Sequence, residues 1–162
     1  MNEMIVDSNV LVVANDQSVG VSEDCTDASK QFLAQSRHRV LLLDSDDEIL
    51  REYLGSVLIS KPFGLGAQFL IYVIQNQYNT DHARRVEIRR DALGGLADFP
   101  TDARLDSFDP SDRKFAVLSK TENVPVTNSV DSDWANHVCP LADNGIVVEF
   151  LCGPYPLQWR NV

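Results

Sequence analysis

The sequence predicts an α/β fold with a central, largely parallel sheet of about five strands flanked by helices, in three layers. Two observations carry this. Short, almost wholly apolar runs recur along the chain, at residues 4–6, 39–43 and 146–151 among others, which is the composition of strands buried on both faces. Between them lie longer segments with apolar residues at helical spacing behind a capping residue. Strands that alternate with helices pair in parallel through right-handed crossovers.

The first element covers residues 4–14, where Met4-Ile5-Val6 and Val10-Leu11-Val12-Val13-Ala14 flank Asp7-Ser8-Asn9. It reads as a buried parallel strand carrying polar side chains. Residues 15–20 are turn-like, and Ser22 is placed to cap a helix that runs to about Ser36. Residues 39–43 (RVLLL) are the second strand. Ser45 then caps a helix from about Asp46 to Leu58, with acids in the first turn, where the helix dipole favours them. Pro62-Phe63-Gly64-Leu65-Gly66 is a turn, too short for a phosphate-binding loop. Residues 67–79 place Phe69, Leu70, Val73 and Ile74 at the spacing of a core helix. Residues 85–89 (RVEIR) alternate as an edge strand does. Residues 92–110 are loop-rich, and Ser111 caps a helix from Asp112 to about Thr121. Residues 123–130 (NVPVTNSV) form a strand that leads into Asp131-Ser132-Asp133-Trp134 and a short helix. Residues 146–151 (IVVEFL) are a last buried strand, so residues 1–153 form one domain and 154–162 a tail containing Tyr155 and Trp159.

A chain of 162 residues holds one domain with its own core. Its 44% hydrophobic content and mean hydropathy of -0.16 fit a globular domain and exclude disorder. There are 24 acidic and 14 basic residues, for a net charge of -10, and Asp outnumbers Glu by 17 to 7. Asp is the poorer helix former, so the acidity belongs to caps, turns and strand ends. Such a chain is a poor general binder of nucleic acid by net charge alone. No apolar run reaches the length needed to span a bilayer. The start, Met1-Asn2-Glu3-Met4, is no secretory signal. Cys25, Cys139 and Cys152 are scattered and odd in number, which suggests reduced, core-packed thiols in a cytoplasmic protein. His38, His82 and His137 lack ligand spacing and are expected at the surface.

The placement of the acids is more informative than their number. Ligands of open α/β sheets gather at the carboxyl ends of the strands. Asp7 lies at the end of the first apolar run, Asp131 and Asp133 follow the strand near Val126, Asp112 opens a helix, and Glu52 lies one turn beyond Glu48. Each has a plainer explanation: an Asx-turn for Asp7, a favourable dipole for Asp112, solvent for Glu52, and loop acids for the last pair. Brought to one point, however, they could not all stay ionised without a counter-charge. Oxygen ligands of this kind suit Mg²⁺ or Mn²⁺.

Four segments in order carry a resemblance. Ile5-Val6-Asp7-Ser8-Asn9-Val10-Leu11 is similar to the opening motif of the PIN-domain ribonucleases. Leu42-Leu43-Asp44-Ser45-Asp46-Asp47-Glu48-Ile49-Leu50-Arg51-Glu52-Tyr53 is similar to their second motif, with Glu52 as the matching carboxylate. Asp109-Pro110-Ser111-Asp112-Arg113-Lys114-Phe115 resembles the third, and Ser129-Val130-Asp131-Ser132-Asp133-Trp134 the fourth, with Ser129 where Thr is usual. The resemblance spans about residues 4 to 151 and implies a three-layer PIN-like fold. It also implies a hydrolase, a metal-dependent endoribonuclease that cuts phosphodiester bonds of single-stranded RNA. Asp7, Glu52, Asp112 and Asp131 would be catalytic and hold Mg²⁺ or Mn²⁺, and Asp133 would be a fifth ligand or would support the others. Glu48 could stand in for Glu52, and Asp109 for Asp112. Asn9 and Ser129 would orient ligands or the scissile phosphate. Arg84, Arg85, Arg89 and Arg90, with Arg113 and Lys114 beside the third motif, would hold RNA backbone phosphates if they face the same cleft. Trp134 is expected to pack behind the site. A toxin held by an antitoxin protein, an RNA-processing nuclease and a defence nuclease all fit this reading, as does a homodimer.

Three rivals compete with it. A non-catalytic binding module on the same fold would keep the architecture without the chemistry. A receiver-type signalling domain would use the run ending in Asp44-Ser45-Asp46-Asp47, but the region around Arg89-Arg90-Asp91 has no apolar strand before its Asp. A phosphohydrolase with an aspartyl nucleophile needs an Asp two residues after Asp7, where Asn9 stands.

Overall fold

In the computed structural model, which describes residues 2–59 and 64–152, the apolar runs form five short strands. These are β1 (Glu3–Val6), β2 (Val40–Asp44), β3 (Ala83–Val86), β4 (Val126–Asn128) and β5 (Val148–Phe150). All pair in parallel, in the order β3-β2-β1-β4-β5, with Met4 opposite Leu41 on one side of β1 and Val6 opposite Thr127 on the other. The described helices are α1 (Ser8–Ala14), α2 (Glu23–Gln35), α3 (Glu48–Ser56), α4 (Leu65–Asn76), α5 (Arg113–Glu122), α6 (Ser132–Asn136) and α7 (Val138–Asp143). The chain steps outward from β1 to β2 to β3, then crosses back to β4 on the far side of β1. With right-handed crossovers, that reversal puts α1–α4 on one face and α5–α7 on the other, a three-layer arrangement consistent with a PIN-like fold. The switch in direction lies between β1 and β4, where open α/β sheets place ligands.

The central strands are the core: Met4, Ile5, Val6, Leu41, Leu42 and Leu43 are all buried. Helices α1, α2 and α4 pack on one another. Gly66 permits the closest of these approaches, since a Cβ there would lie 2.0 Å from the Leu11 carbonyl oxygen. No helix among the described residues is long and apolar enough to cross a membrane.

The structure departs from the expected elements in several places. Residues 8–14 are helix, not strand. Asp7 adopts an extended N-cap conformation and accepts a hydrogen bond from the Asn9 N–H, turning the chain immediately after β1. An uninterrupted apolar run such as Val10–Ala14 carries no period to tell the two states apart. Ser45 does not cap α3. The buried Asp44 does so instead: Oδ2 accepts from Asp46 N (3.1 Å) and Glu48 N (2.8 Å), and Oδ1 from Ile49 N (2.8 Å). Ser111 bonds back to Asp109 rather than capping α5. Strand β4 is shorter than the predicted run. β5 is a half-exposed edge strand rather than a buried one, with Val147 just before it 52% exposed.

The cysteine expectation is also corrected. Cys25, in the first turn of α2, and Cys152, just after β5, form a disulfide across 127 positions with their Cα atoms 4.9 Å apart, and Cys139 is free and exposed rather than core-packed. Sequence spacing cannot show a pairing that only the tertiary fold creates. The cysteine count therefore no longer argues for a reducing compartment. Ser22 caps α2 as expected, and the third strand lies at a sheet edge as expected but covers residues 83–86 rather than 85–89. Pro62 and Phe63 of the predicted turn, and the tail from Gly153 with Tyr155 and Trp159, lie outside the described residues.

Candidate metal centre

Asp7, Glu52 and Asp112 come from three separate elements and meet at the carboxyl end of the sheet, one oxygen of each lying within 4.8 Å of the others. Asp7 is placed by the turn from β1 into α1. Glu52 is placed by α3, whose start is pinned by the Asp44 cap. Asp112 precedes α5 at the N-cap position but makes no side-chain capping bond, so capping does not account for its carboxylate. Asp7 does close an Asx-type turn on the Asn9 N–H, but it and Asp112 are only 1% and 4% exposed, so neither carboxylate is solvated.

Other groups hold these carboxylates in place. The indole N–H of buried Trp134 donates to Asp7 Oδ2. The Ser8 hydroxyl donates to Glu52 Oε1 at 2.6 Å and approaches Asp7 Oδ1 at 3.3 Å. The Tyr53 hydroxyl donates to the Val6 carbonyl at 2.5 Å, tying α3 to the end of β1. Lys114 Nζ bonds both Glu52 Oε2 and the Ser111 carbonyl.

The electrostatics are those of crowded carboxylates. Burial first, then the charges of Asp131 and Glu52, push the Asp7 carboxyl up to about 7, against the lowering effect of its bonds from Asn9 and Trp134. Burial first, then Asp7, Asp131, Asp109 and Glu52, push Asp112 up to about 9. Asp131 is raised as well, chiefly by burial, although its bond from the Asp133 N–H opposes this. Asp131 thus stands within electrostatic reach but outside the close trio. One of its oxygens caps α6, accepting from Asp133 N at 2.9 Å.

The remaining candidates take different positions. Asp133 accepts from the Asp109 N–H at 2.7 Å and lies 3.1 Å from His137 Nδ1, so it braces the loop before α5. Asp109 accepts from the N–H and hydroxyl of Ser111, and Glu48 pairs with Arg90; neither replaces its neighbour in the trio. Asn9 Oδ1 accepts from Ser129 N (2.8 Å) and Val130 N (3.3 Å), lashing the first turn of α1 to the residues just after β4. The buried Ser129 hydroxyl is engaged 2.7 Å from that of Ser29 in α2. Arg84 lies between Glu3 and Glu122, Arg85 pairs with Asp47, and Arg89 pairs with Asp98. Arg113 bonds the carbonyls of Asp106 and Phe108 and stacks over Phe99. The expected basic strip is thus engaged elsewhere, and Lys114 alone of its members bonds a carboxylate of the trio.

No family model, no curated protein and no solved structure matches the chain.

What the centre can do follows from its own chemistry. The donor set is three carboxylates, hard oxygen ligands with no sulfur or imidazole, which suits Mg²⁺ or Mn²⁺ over softer metals. Burial first, and then mutual repulsion, raise Asp7 and Asp112, and a divalent charge would relieve the repulsive part. Ser8 had no role assigned from the sequence, and Lys114, expected on RNA phosphates, is bonded to Glu52 instead. The placement of Lys114 in the first turn of α5, two residues beyond Asp112, was the available signal for its position.

Proposed function

We propose that this chain is a metal-dependent endoribonuclease of the PIN-like kind that hydrolyses phosphodiester bonds of single-stranded RNA. Asp7, Glu52 and Asp112 would hold Mg²⁺ or Mn²⁺, with Asp131 adding negative charge at the same wall. The observation that carries this reading is the meeting of three carboxylates from three elements at the switch point of a parallel sheet. The four motifs shared in order with the PIN-domain ribonucleases support RNA as the substrate. A divalent ion held there would lower the pKa of a bound water, making hydroxide available as the nucleophile, and would supply positive charge for the developing oxyanions. The chain's own part is preorganisation. Trp134 fixes the orientation of Asp7, Ser8 aims Glu52, Tyr53 ties α3 to the end of β1, and Asn9 ties the first turn of α1 to the residues just after β4, so the ligands keep their spacing. Arg89 and Arg90, in ion pairs near the surface, can trade their carboxylates for RNA phosphates at small cost.

The test is cleavage of an end-labelled single-stranded RNA by the purified protein. Cutting is expected with Mn²⁺ or Mg²⁺, lost in EDTA and lost in Asp112→Asn. Cutting that persists in Asp112→Asn refutes the assignment. One observation favours a second reading, a binding module without catalysis: Lys114 already neutralises Glu52. RNA retained without cleavage at any Mn²⁺ concentration would select that reading.

A further inference from the structure

Lys114 is the feature of the centre that the proposed chemistry leaves unused. Its side chain is 8% exposed, leaves the first turn of α5, and ends with Nζ on Glu52 Oε2 and the Ser111 carbonyl, beside Asp112. Its ammonium also lies 4.8 Å from the centre of the Phe115 ring. None of the arginines of the predicted basic strip bonds the trio, so among the described residues this ammonium is the cation that directly pairs with one of its carboxylates. Burying such a pair gains little net stability over an apolar replacement, so stability alone does not explain a lysine here.

We infer that Lys114 is the resident counter-ion of the centre, which a divalent ion must displace from Glu52 in order to bind. The inference rests on the reading of Asp7, Glu52 and Asp112 as a metal site. Glu52 Oε2 is held by the ammonium and Oε1 by the Ser8 hydroxyl, so a metal entering the trio competes with Lys114 for this carboxylate. Apparent metal affinity is therefore reduced by the fraction of molecules in which Lys114 holds Glu52. The lysine keeps the trio assembled and compact when metal is scarce and sets the concentration at which metal enters.

The test is calorimetric titration of Mn²⁺ into the wild-type protein and Lys114→Met, with thermal midpoints in EDTA and in Mn²⁺. Lys114→Met is expected to bind Mn²⁺ at least roughly tenfold more tightly and to show a larger metal-induced rise in midpoint from a lower metal-free start. Binding by the variant alone also supports the inference. Equal or weaker binding by the variant, with the wild type binding well, overturns the inference and leaves the metal site standing. Absence of binding in both overturns the two together. A second measurement needs no weakened variant. In the wild type, the carbon-13 signal of the Lys114 ε-methylene, assigned with Lys114→Arg, should move on Mg²⁺ titration at the midpoint of binding. A signal unchanged at saturating Mg²⁺ overturns the inference.

Discussion

Asp7→Asn should make the metal-free protein more stable while removing its response to metal. Asp7 is 1% exposed, and its carboxyl is raised from 3.8 to about 7 by burial and by Asp131 and Glu52. A shift of that size, at about 1.4 kcal/mol per unit, means that ionised Asp7 costs the fold about 4 kcal/mol at pH 8. The amide removes the charge but also an acceptor. Asp7 accepts from Asn9 N on one oxygen and from Trp134 Nε1 on the other, and an NH₂ group must face one of those donors. That mismatch returns about 1–3 kcal/mol. The net gain is about 1–3 kcal/mol, a rise in thermal midpoint of roughly 2–12 °C for a domain of this size. The sign follows from linkage. A raised folded-state value means the folded state binds the proton more tightly, so stability is greatest below 3.8 and declines as pH climbs through about 7. The gain from Asn should therefore shrink at pH 5. The assay is thermal unfolding in EDTA at pH 5 and pH 8, repeated with Mn²⁺. A variant that melts below the wild type at pH 8 in EDTA, or that keeps the wild-type response to Mn²⁺, would refute the reasoning.

The wild type should itself lose metal-free stability between pH 5 and pH 9 as Asp7 and Asp112, raised to about 7 and about 9, ionise in the folded state. Urea unfolding in EDTA should show the decline and saturating Mn²⁺ should flatten it; stability that climbs over this range would count against the buried-carboxylate account. Asp44→Ala should cost roughly 2–4 kcal/mol by leaving two N–H groups in the first turn of α3 and that of Asp46 just before it without their acceptor, and should weaken Mn²⁺ binding by misplacing Glu52. Unchanged titration by a folded Asp44→Ala would show that the cap does not position Glu52. Reduction of Cys25–Cys152 should lower stability by about 2–4 kcal/mol without changing Mn²⁺ affinity, since the bridge ties α2 to the end of β5 and touches none of the trio. A thermal midpoint unmoved by reductant would remove the bridge from the stability account.

Much of the fold was legible because alternation of apolar runs with capped amphipathic segments admits few arrangements. The Ser22 cap, the apolar strand read at residues 39–43 and the edge position of the strand read at residues 85–89 all follow from local chemistry. Val10–Ala14 was not legible, because an apolar run buried on every side has no period, and the turn is decided by Asp7 closing on Asn9. The cap of α3 was assigned one residue late because Asp44 and Ser45 are both good caps, and only the strand's burial points Asp44 at the helix. Three of the four principal carboxylates were legible as a group since each ends a strand or sits in the first turns of a helix. Asp131 stands outside the close trio, and the bond that one of its oxygens accepts from the Asp133 N–H was not legible in the sequence. The ion pairs of Arg84 and Arg85 with Glu3, Glu122 and Asp47 were not legible because those partners lie 38 or more positions away in sequence. The disulfide was missed for the same reason.

The most direct measurement is anomalous diffraction at the manganese edge from crystals equilibrated with Mn²⁺. The account predicts a peak bounded by the carboxylates of Asp7, Glu52 and Asp112, with Lys114 turned away from Glu52. Manganese bound elsewhere, or no peak at the trio at saturating Mn²⁺, would contradict it.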